Sequence, residues 1–211
     1  MEKLNPEQQM ELLNKYYGLI DTYLQNSERY GAIKNMLKEI EERLVMCPAS
    51  TKYHGNYPGG LLEHLVDCID AAFFISNYLV FIGVKNIPSN ESILFCAAFH
   101  DIGKMGDDKI DYYIPELSDW HRKNLGRTYK INPDEQKVLL THPDGSIYLL
   151  NHFGIKLSIE EYQAIKVHDG EYAKENADVY PFNDVCLLTH IIQLADQLSC
   201  TIRTDKMVKW S

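Results

Sequence analysis

Hydrophobic residues recur at three- and four-residue intervals along most of this chain, which is the spacing of amphipathic α-helices. The first helix is predicted to start at Asn5-Pro6, because asparagine is a favoured cap and proline suits the first helical turn. A second amphipathic segment covers about residues 27–46. A glycine-rich loop over residues 55–60 then precedes a long apolar segment that begins at Leu61.

The helical pattern continues through the second half of the chain. Asn90 is predicted to cap the next helix, which ends near Gly103. Between Gly106 and Lys130 the periodicity is lost, so a structured loop is predicted there, with a hairpin within residues 107–131 as the alternative. Further helix starts are predicted from their signals at Asn132-Pro133, Pro143, the capping box of Ser158 and Glu161, and Pro181. Because no segment alternates like a β-strand, the predicted fold class is an all-α helical bundle.

The stretch over residues 61–84 is the most apolar part of the chain, yet it carries Glu63, His64, Asp67 and Asp70. These polar residues favour a buried core helix over a membrane span. The chain opens with polar residues rather than with the apolar core of a signal peptide, and its five cysteines form no C-x-x-C pair. A cytoplasmic protein with no membrane partner is therefore expected.

The net charge of the chain limits its partners. At −9 it disfavours extended, sequence-independent binding along a nucleic-acid backbone. It is compatible with a local basic patch that holds one phosphate group. A small phosphorylated molecule is therefore the expected ligand, and a nucleotide is the leading candidate.

Four titratable residues are predicted to face one another inside the bundle. His64 and Asp196 lie within apolar helices, and His100-Asp101 ends a third apolar segment. Such groups are costly to bury unless something pairs with them, and imidazole and carboxylate are good ligands for divalent metals. A shared metal ion is therefore expected. Taken singly, each residue has a plainer interpretation: a hydrogen-bonded core histidine, a chance His-Asp pair, or a carboxylate in a salt bridge.

Three segments together resemble the HD superfamily of metal-dependent phosphohydrolases, whose pattern is H…HD…D. They are residues 48–64, which end in Gly-Gly-Leu-Leu-Glu-His64, residues 97–104 around His100-Asp101, and Leu194-Ala-Asp196. The pattern is most similar to that of small HD hydrolases of bacteria and phages and of the HD domain in YhaM-type 3′-to-5′ exoribonucleases. The resemblance covers about residues 48–203. It implies an HD domain at 48–211, preceded by an N-terminal helical extension at 1–47.

The resemblance also implies a metal centre of one or two divalent ions, with Mn, Fe, Co, Ni, Zn and Mg as candidates. The first ion is expected to be held by His64, His100, Asp101 and Asp196. His142 and His168 lie where many HD enzymes add ligands, and in two-metal relatives such residues hold a second ion that Asp101 bridges. Some of those relatives have His-His where this chain has His168-Asp169. The number of ions is therefore left open.

Cationic groups near this centre are candidates for binding phosphate. Lys104 follows the HD pair, and Lys52 and His54 precede the third helix. Lys104 and His54 are predicted to be catalytic together with Asp101, and Lys52 to bind substrate. The one basic, aromatic-bearing run is predicted to form a lid or wall of a nucleotide pocket through Trp120, Arg122, Lys123, Arg127 and Tyr129. The alternatives are a solvated lysine, an ordinary loop histidine and a plain surface loop.

The expected function is hydrolysis of a phosphate ester or anhydride in a nucleotide or related small molecule by metal-activated water. Two alternatives are open: a 3′-to-5′ exonuclease on single-stranded RNA or DNA, and a non-catalytic interaction domain that a metal stabilises. The N-terminal helices are expected either to cover the domain or to form a homodimer contact. The roles of Asp169 and His190 are left open.

Overall fold

The computed structural model describes residues 4–107, 110–134, 140–171, 173–176 and 185–202. The fold is all-α, as predicted, with one small two-stranded sheet in the described part of the chain. The helices are α1 (Pro6–Leu24), α2 (Tyr30–Met46), α3 (Gly60–Phe81), α4 (Asn90–Phe99), α5 (Asp119–Leu125), α6 (His142–His152), α7 (Ile159–Lys166) and α8 (Leu187–Ile202).

Most of the predicted helix starts are confirmed by their caps. Asn5 and Ser158 each form a capping box with the glutamine or glutamate three residues later. Asn90 was the wrong cap for α4, because the side chain of Ser89 accepts from the amide of Ser92 and Asn90 is already helical. The helix predicted after Asn132-Pro133 and the start predicted at Pro181 fall largely outside the described residues.

The irregular segment after residue 106 contains a hairpin, which was the alternative to a loop. Strand β1 (Tyr113–Pro115) pairs antiparallel with β2 (Tyr129–Ile131), and helix α5 lies in the connection between them. The carbonyl of Thr51 accepts hydrogen bonds from the amides of Thr128 and Tyr129. These bonds fix the hairpin against the loop that precedes α3.

The core is built around α3, which packs against α4 and α8. Helix α1 covers α4 and α3, and the hydroxyl of Tyr16 donates to the carbonyl of Ala98 over 2.8 Å. Buried residues of α1 and α2, among them Ile20 and Leu37, belong to the same hydrophobic cluster as those of α3, α4, α6, α7 and α8. The N-terminal helices therefore cover the core. The boundary between residues 47 and 48 stays a prediction.

Helix α3 is the one described helix that is long and apolar enough to cross a membrane by length and composition, with a mean hydropathy of 1.3 in its best window. Core helices pass the same test, so this property alone is weak evidence. In the structure, Glu63 and His64 are buried on α3 within the bundle. The absence of a membrane partner stays a prediction.

A buried ion pair joins the start of α2 to α7. The guanidinium of Arg29 makes two hydrogen bonds to the carboxylate of Glu161, at 2.7 and 2.9 Å, and lies over the ring of Phe95 at 3.7 Å. The two side chains are only 13% and 4% exposed. Burial would raise the pKa of Glu161, but the hydrogen bonds from Arg29 and the charge attraction lower it. Breaking such a buried pair leaves an uncompensated charge.

We expect Arg29→Met to lower the free energy of unfolding by about 3–5 kcal/mol at neutral pH, because the carboxylate of Glu161 stays buried without its partner. Lys15→Met is the matched control: Lys15 and Asp70 form an exposed pair, at 48% and 54%, so its loss should cost about 0–1 kcal/mol. Urea unfolding of both variants measures the difference.

The cost of Arg29→Met should shrink as the pH falls, because the lowered pKa of Glu161 stabilises the wild-type fold only while its carboxylate is ionised. Equal losses of unfolding free energy in the two variants would contradict a stabilising role of the Arg29–Glu161 pair. A difference between the variants that increases as the pH falls would contradict it as well.

Candidate metal centre

His64, His100, Asp101 and Asp196 form the first His/Asp group, and α3, α4 and α8 bring it together as predicted. Nε2 of His64 lies 3.3 Å from Nε2 of His100, 3.1 Å from Oδ2 of Asp101 and 3.1 Å from Oδ1 of Asp196. Nε2 of His100 lies 3.6 Å from each of the same two oxygens. Two ligands about 2.0–2.2 Å from one ion, at an angle of about 90–110°, lie roughly 2.8–3.6 Å apart. The spacing therefore fits one bound ion.

The position of His64 depends on the turn that starts α3. Gly59 has φ 85°, a left-handed conformation that favours glycine, and a Cβ atom on Gly60 would lie 2.0 Å from the carbonyl oxygen of Gly55. The glycine pair therefore lets the chain turn tightly into α3. His64 then lies one helical turn further on, inside the bundle.

Hydrogen bonds to the far side of each ring orient these histidines. Nδ1 of His100 bonds to the carbonyl of Ala97 at 3.0 Å, so Nδ1 carries the hydrogen and the neutral ring presents the lone pair of Nε2. The hydroxyl of Ser199 donates to the carbonyl of Asp196 and accepts from Nδ1 of His64. With the hydrogen of Nδ1 directed at these oxygens, Nε2 of each ring is left facing the centre of the group, where it can act as a ligand.

Asp101, His142 and His168 form a second group that meets the first at Asp101. Oδ1 of Asp101 lies 3.3 Å from Nε2 of His142 and 3.4 Å from Nε2 of His168, and the two nitrogens are 3.4 Å apart. Nδ1 of His168 bonds to the carbonyl of Ile165 at 2.8 Å. This ring is therefore oriented in the same way as the ring of His100.

A close approach of backbones places His142 beside Asp101. A Cβ atom on Gly103 would lie 2.1 Å from the carbonyl oxygen of His142, so only glycine fits there. The hydroxyl of Ser146 accepts from the amide of Gly103 and donates to the carbonyl of His100. The first turn of α6 is thereby joined to the 3-10 turn that follows the HD pair.

Asp101 itself indicates that the site is built for a cation. Its side chain is fully buried, and Oδ1 has no hydrogen-bond partner among the described residues although two imidazole nitrogens are within 3.4 Å. A buried carboxylate oxygen without a hydrogen bond is costly, and a divalent ion would compensate it. Together with the donor spacing, this observation shows that the residues fit a metal ion.

The charge of Asp101 also shifts the ionisation of its neighbours. Burial works to lower the pKa of His168, but the negative charge of Asp101 close to Nε2 raises it to about 9. Burial dominates at His142 and lowers its pKa to about 4. The pKa of Asp101 stays well below its ordinary value despite burial, because the ammonium group of Lys104 attracts the ionised form.

The residues predicted as catalytic lie around this centre. The amine of Lys104 contacts Oδ2 of Asp101, and its side chain is 12% exposed. Nε2 of His54 lies 3.3 Å from the sulfur of Cys200, and burial and the proximity of His64 lower the pKa of His54 to about 4. The lowered pKa favours the neutral ring of His54, and its predicted catalytic role stays a prediction. Lys52 lies 4.9 Å above the ring of Tyr53.

The residues predicted to bind substrate are spread more widely. Trp120, Arg122 and Lys123 are exposed on α5, where Arg122 pairs with Asp119. Arg127 is half-buried just before β2. Of the six substrate residues, Tyr129 lines a cavity of about 340 Å³ that Lys104 also borders. The predicted role of the other five stays a prediction.

Several residues at the site were not predicted from the sequence. Ser199 and Cys200 follow Asp196 by three and four positions, one helical turn, and Ser146 follows His142 by four. This spacing could have singled them out once α6 and α8 were predicted. Tyr113 and Arg43, which line the cavity beside Lys104, come from separate elements and carry no such signal.

No protein-family model, curated protein or solved structure matches this chain. What the geometry defines is an all-α protein with a buried His/Asp cluster that could hold a metal ion.

Metal-free protein should gain stability when Mn²⁺ is added, because an ion bound by the folded cluster alone shifts the unfolding equilibrium. At a hundredfold excess over Kd the gain is about 2.7 kcal/mol, or roughly 5–10 °C in Tm for a chain of this size. Thermal melts after chelation, with and without added Mn²⁺, measure it.

Asp101→Asn should lose this shift, because the shared carboxylate is gone. His190→Ala changes an exposed histidine on α8 and should keep the wild-type shift. Wild-type protein whose Tm does not change with any divalent ion would argue against a metal centre.

Proposed function

We propose that this protein is a metal-dependent phosphohydrolase of the HD superfamily type, acting on a phosphate ester or anhydride of a nucleotide or related small molecule. The observation that carries the proposal is the fully buried Asp101, whose two oxygens face two different pairs of histidines. Carboxylate bridging between two such sets of donors is typical of centres that hydrolyse phosphate compounds. The H…HD…D pattern agrees with it.

Four residues, His64, His100, Asp101 and Asp196, would hold the first ion, and His142 and His168 would hold a second together with Asp101. Divalent ions bound there would lower the pKa of water and polarise a phosphoryl oxygen. The rings of His100 and His168 are buried and held by hydrogen bonds to backbone carbonyls, so these donors are oriented before substrate arrives, which favours charge stabilisation in the reaction.

Lys104 would supply the fixed cation for the phosphate. Lys104 is one of the residues that line the cavity, and its ammonium group contacts Oδ2 of Asp101, so this residue connects the cavity with the His/Asp cluster. The charge of Asp101 and the proximity of Tyr113 raise the pKa of Lys104 against the effect of burial, so the group stays protonated. An oxygen of the transferred phosphoryl group would therefore find a positive partner beside the cluster.

The cavity beside Lys104 suits the rest of a nucleotide. Tyr113 and Tyr129 of the hairpin and Arg43 and Met46 of α2 line it. Its volume of about 340 Å³ falls in the range of small-molecule sites, and aromatic rings stack on bases. In this proposal α2 is part of the substrate site, which gives the N-terminal helices a role beyond covering the core.

The test is a panel of nucleoside mono-, di- and triphosphates and a single-stranded oligonucleotide, each assayed with Mn²⁺, Fe²⁺, Co²⁺, Ni²⁺, Zn²⁺ and Mg²⁺. We expect release of phosphate or pyrophosphate from a nucleotide. Changing His100-Asp101 to Ala-Ala should lower the rate by at least about a hundredfold. His190→Ala is the control.

Two other outcomes would favour one of the alternative functions. Shortening of the oligonucleotide without turnover of nucleotides favours the exonuclease. Unfolding on chelation, with no turnover of any substrate, favours a metal-stabilised interaction domain.

A further inference from the structure

Asp169 lies directly beside the second His/Asp group. It follows His168 in a turn after α7, where Gly170 has φ 80° and the amide of Gly170 donates to the carbonyl of Val167 over 2.9 Å. The side-chain amide of Asn176 donates to the carbonyl of Gly170 over 2.8 Å. The turn is therefore fixed by hydrogen bonds, and His168 and Asp169 are held as a unit.

The carboxylate of Asp169 faces the two histidines of this group. Its Oδ2 lies 3.3 Å from Nε2 of His142, and its Oδ1 lies 3.8 Å from Nε2 of His168. These are the nitrogens that also face Oδ1 of Asp101. Asp169 and Asp101 thus approach the same pair of rings, and the 31% exposure of the Asp169 side chain places it on the open side of the group.

With Asp169 included, the two groups contain the same types of donor. In the first, two imidazole nitrogens and two carboxylates are separated by 3.1–3.6 Å in the five distances between His64, His100 and the two aspartates. In the second, with Asp169 in place of Asp196, the five distances are 3.3–3.8 Å. Here Asp169 faces His142 with Oδ2 and His168 with Oδ1, whereas Asp196 faces both of its histidines with Oδ1. Without Asp169 the second group has three donors, and with it the donor set of the first is repeated.

We propose that Asp169 is the fourth ligand of a second metal ion, which His142, His168 and the shared Asp101 also hold. The inference rests on the metal centre of the proposed function, but not on any catalytic activity. It assigns this chain two sites that each have two nitrogen and two oxygen donors. Since the donor sets are alike, both sites should bind the same kind of divalent ion.

A carboxylate at this position also changes the charge of the centre. Three carboxylates, from Asp101, Asp169 and Asp196, against two divalent ions leave one positive charge, and Lys104 adds another. A neutral side chain at position 169 would leave one more positive charge in a buried site. Asp169 therefore lowers the cost of placing two ions close together.

The experiment counts ions in the metal-free wild-type protein titrated with Mn²⁺, by calorimetry and by metal analysis after dialysis. We expect two bound ions per wild-type chain. Asp169→Asn should keep one tight ion and weaken the second by at least tenfold, since ligand loss costs at least as much as loss of a group that only orients a ligand. Asp70→Asn, which changes an exposed aspartate on α3, should bind two ions like the wild type.

A second variant keeps the test informative if Asp169→Asn does not fold. Asp169→His replaces one ligand by another and should bind two ions. Two tight ions in a folded Asp169→Asn protein, or a single ion in the wild type, would overturn the inference. A single bound ion together with nucleotide turnover would overturn the assignment of Asp169 as a ligand but support the proposed phosphohydrolase function. Two bound ions without turnover of any nucleotide would support the assignment of Asp169 and argue against the phosphohydrolase function.

Discussion

The structure depends on one buried carboxylate. Asp101 has no solvent exposure, and each of its oxygens faces a different pair of imidazole nitrogens. Ionised carboxylates are stable inside a protein only when cations or hydrogen bonds compensate them. Lys104 supplies one positive charge, to Oδ2. The elements around Asp101 are arranged so that Oδ1, which has no hydrogen bond of its own among the described residues, faces a set of metal donors.

The helices and the first donor group could be predicted from the sequence, because the metal-binding residue types lie in segments whose hydrophobic pattern also predicts burial. His64 and His100 stand in segments whose other residues are mostly apolar, so the hydrophobic pattern predicts that they lie inside the bundle. The hydrophobic periodicity alone does not predict the second donor group. His142 reaches Asp101 because Gly103 and Gly145 let two backbones touch, and that contact joins elements about forty residues apart.

The residues around the cavity proposed for the substrate were the least predictable part of the site. The basic run was interpreted as one wall, yet α5 projects most of it to solvent, and Tyr129 is the member that lines the cavity beside Lys104. Tyr113 and Arg43 join it from a short strand and from α2. Exposed loop residues show no hydrophobic periodicity. When a cavity wall is formed by residues from three separate elements, no spacing within any one element indicates that they will meet.

We propose that the His/Asp cluster is a metal centre organised by Asp101. The most direct measurement is anomalous diffraction from a crystal of the protein grown with Mn²⁺. A peak should appear within about 2.0–2.3 Å of Nε2 of His64 and Nε2 of His100, the distance of coordinated nitrogen. A well-ordered cluster with no anomalous peak between its donors, or a peak only elsewhere on the protein, would contradict the account.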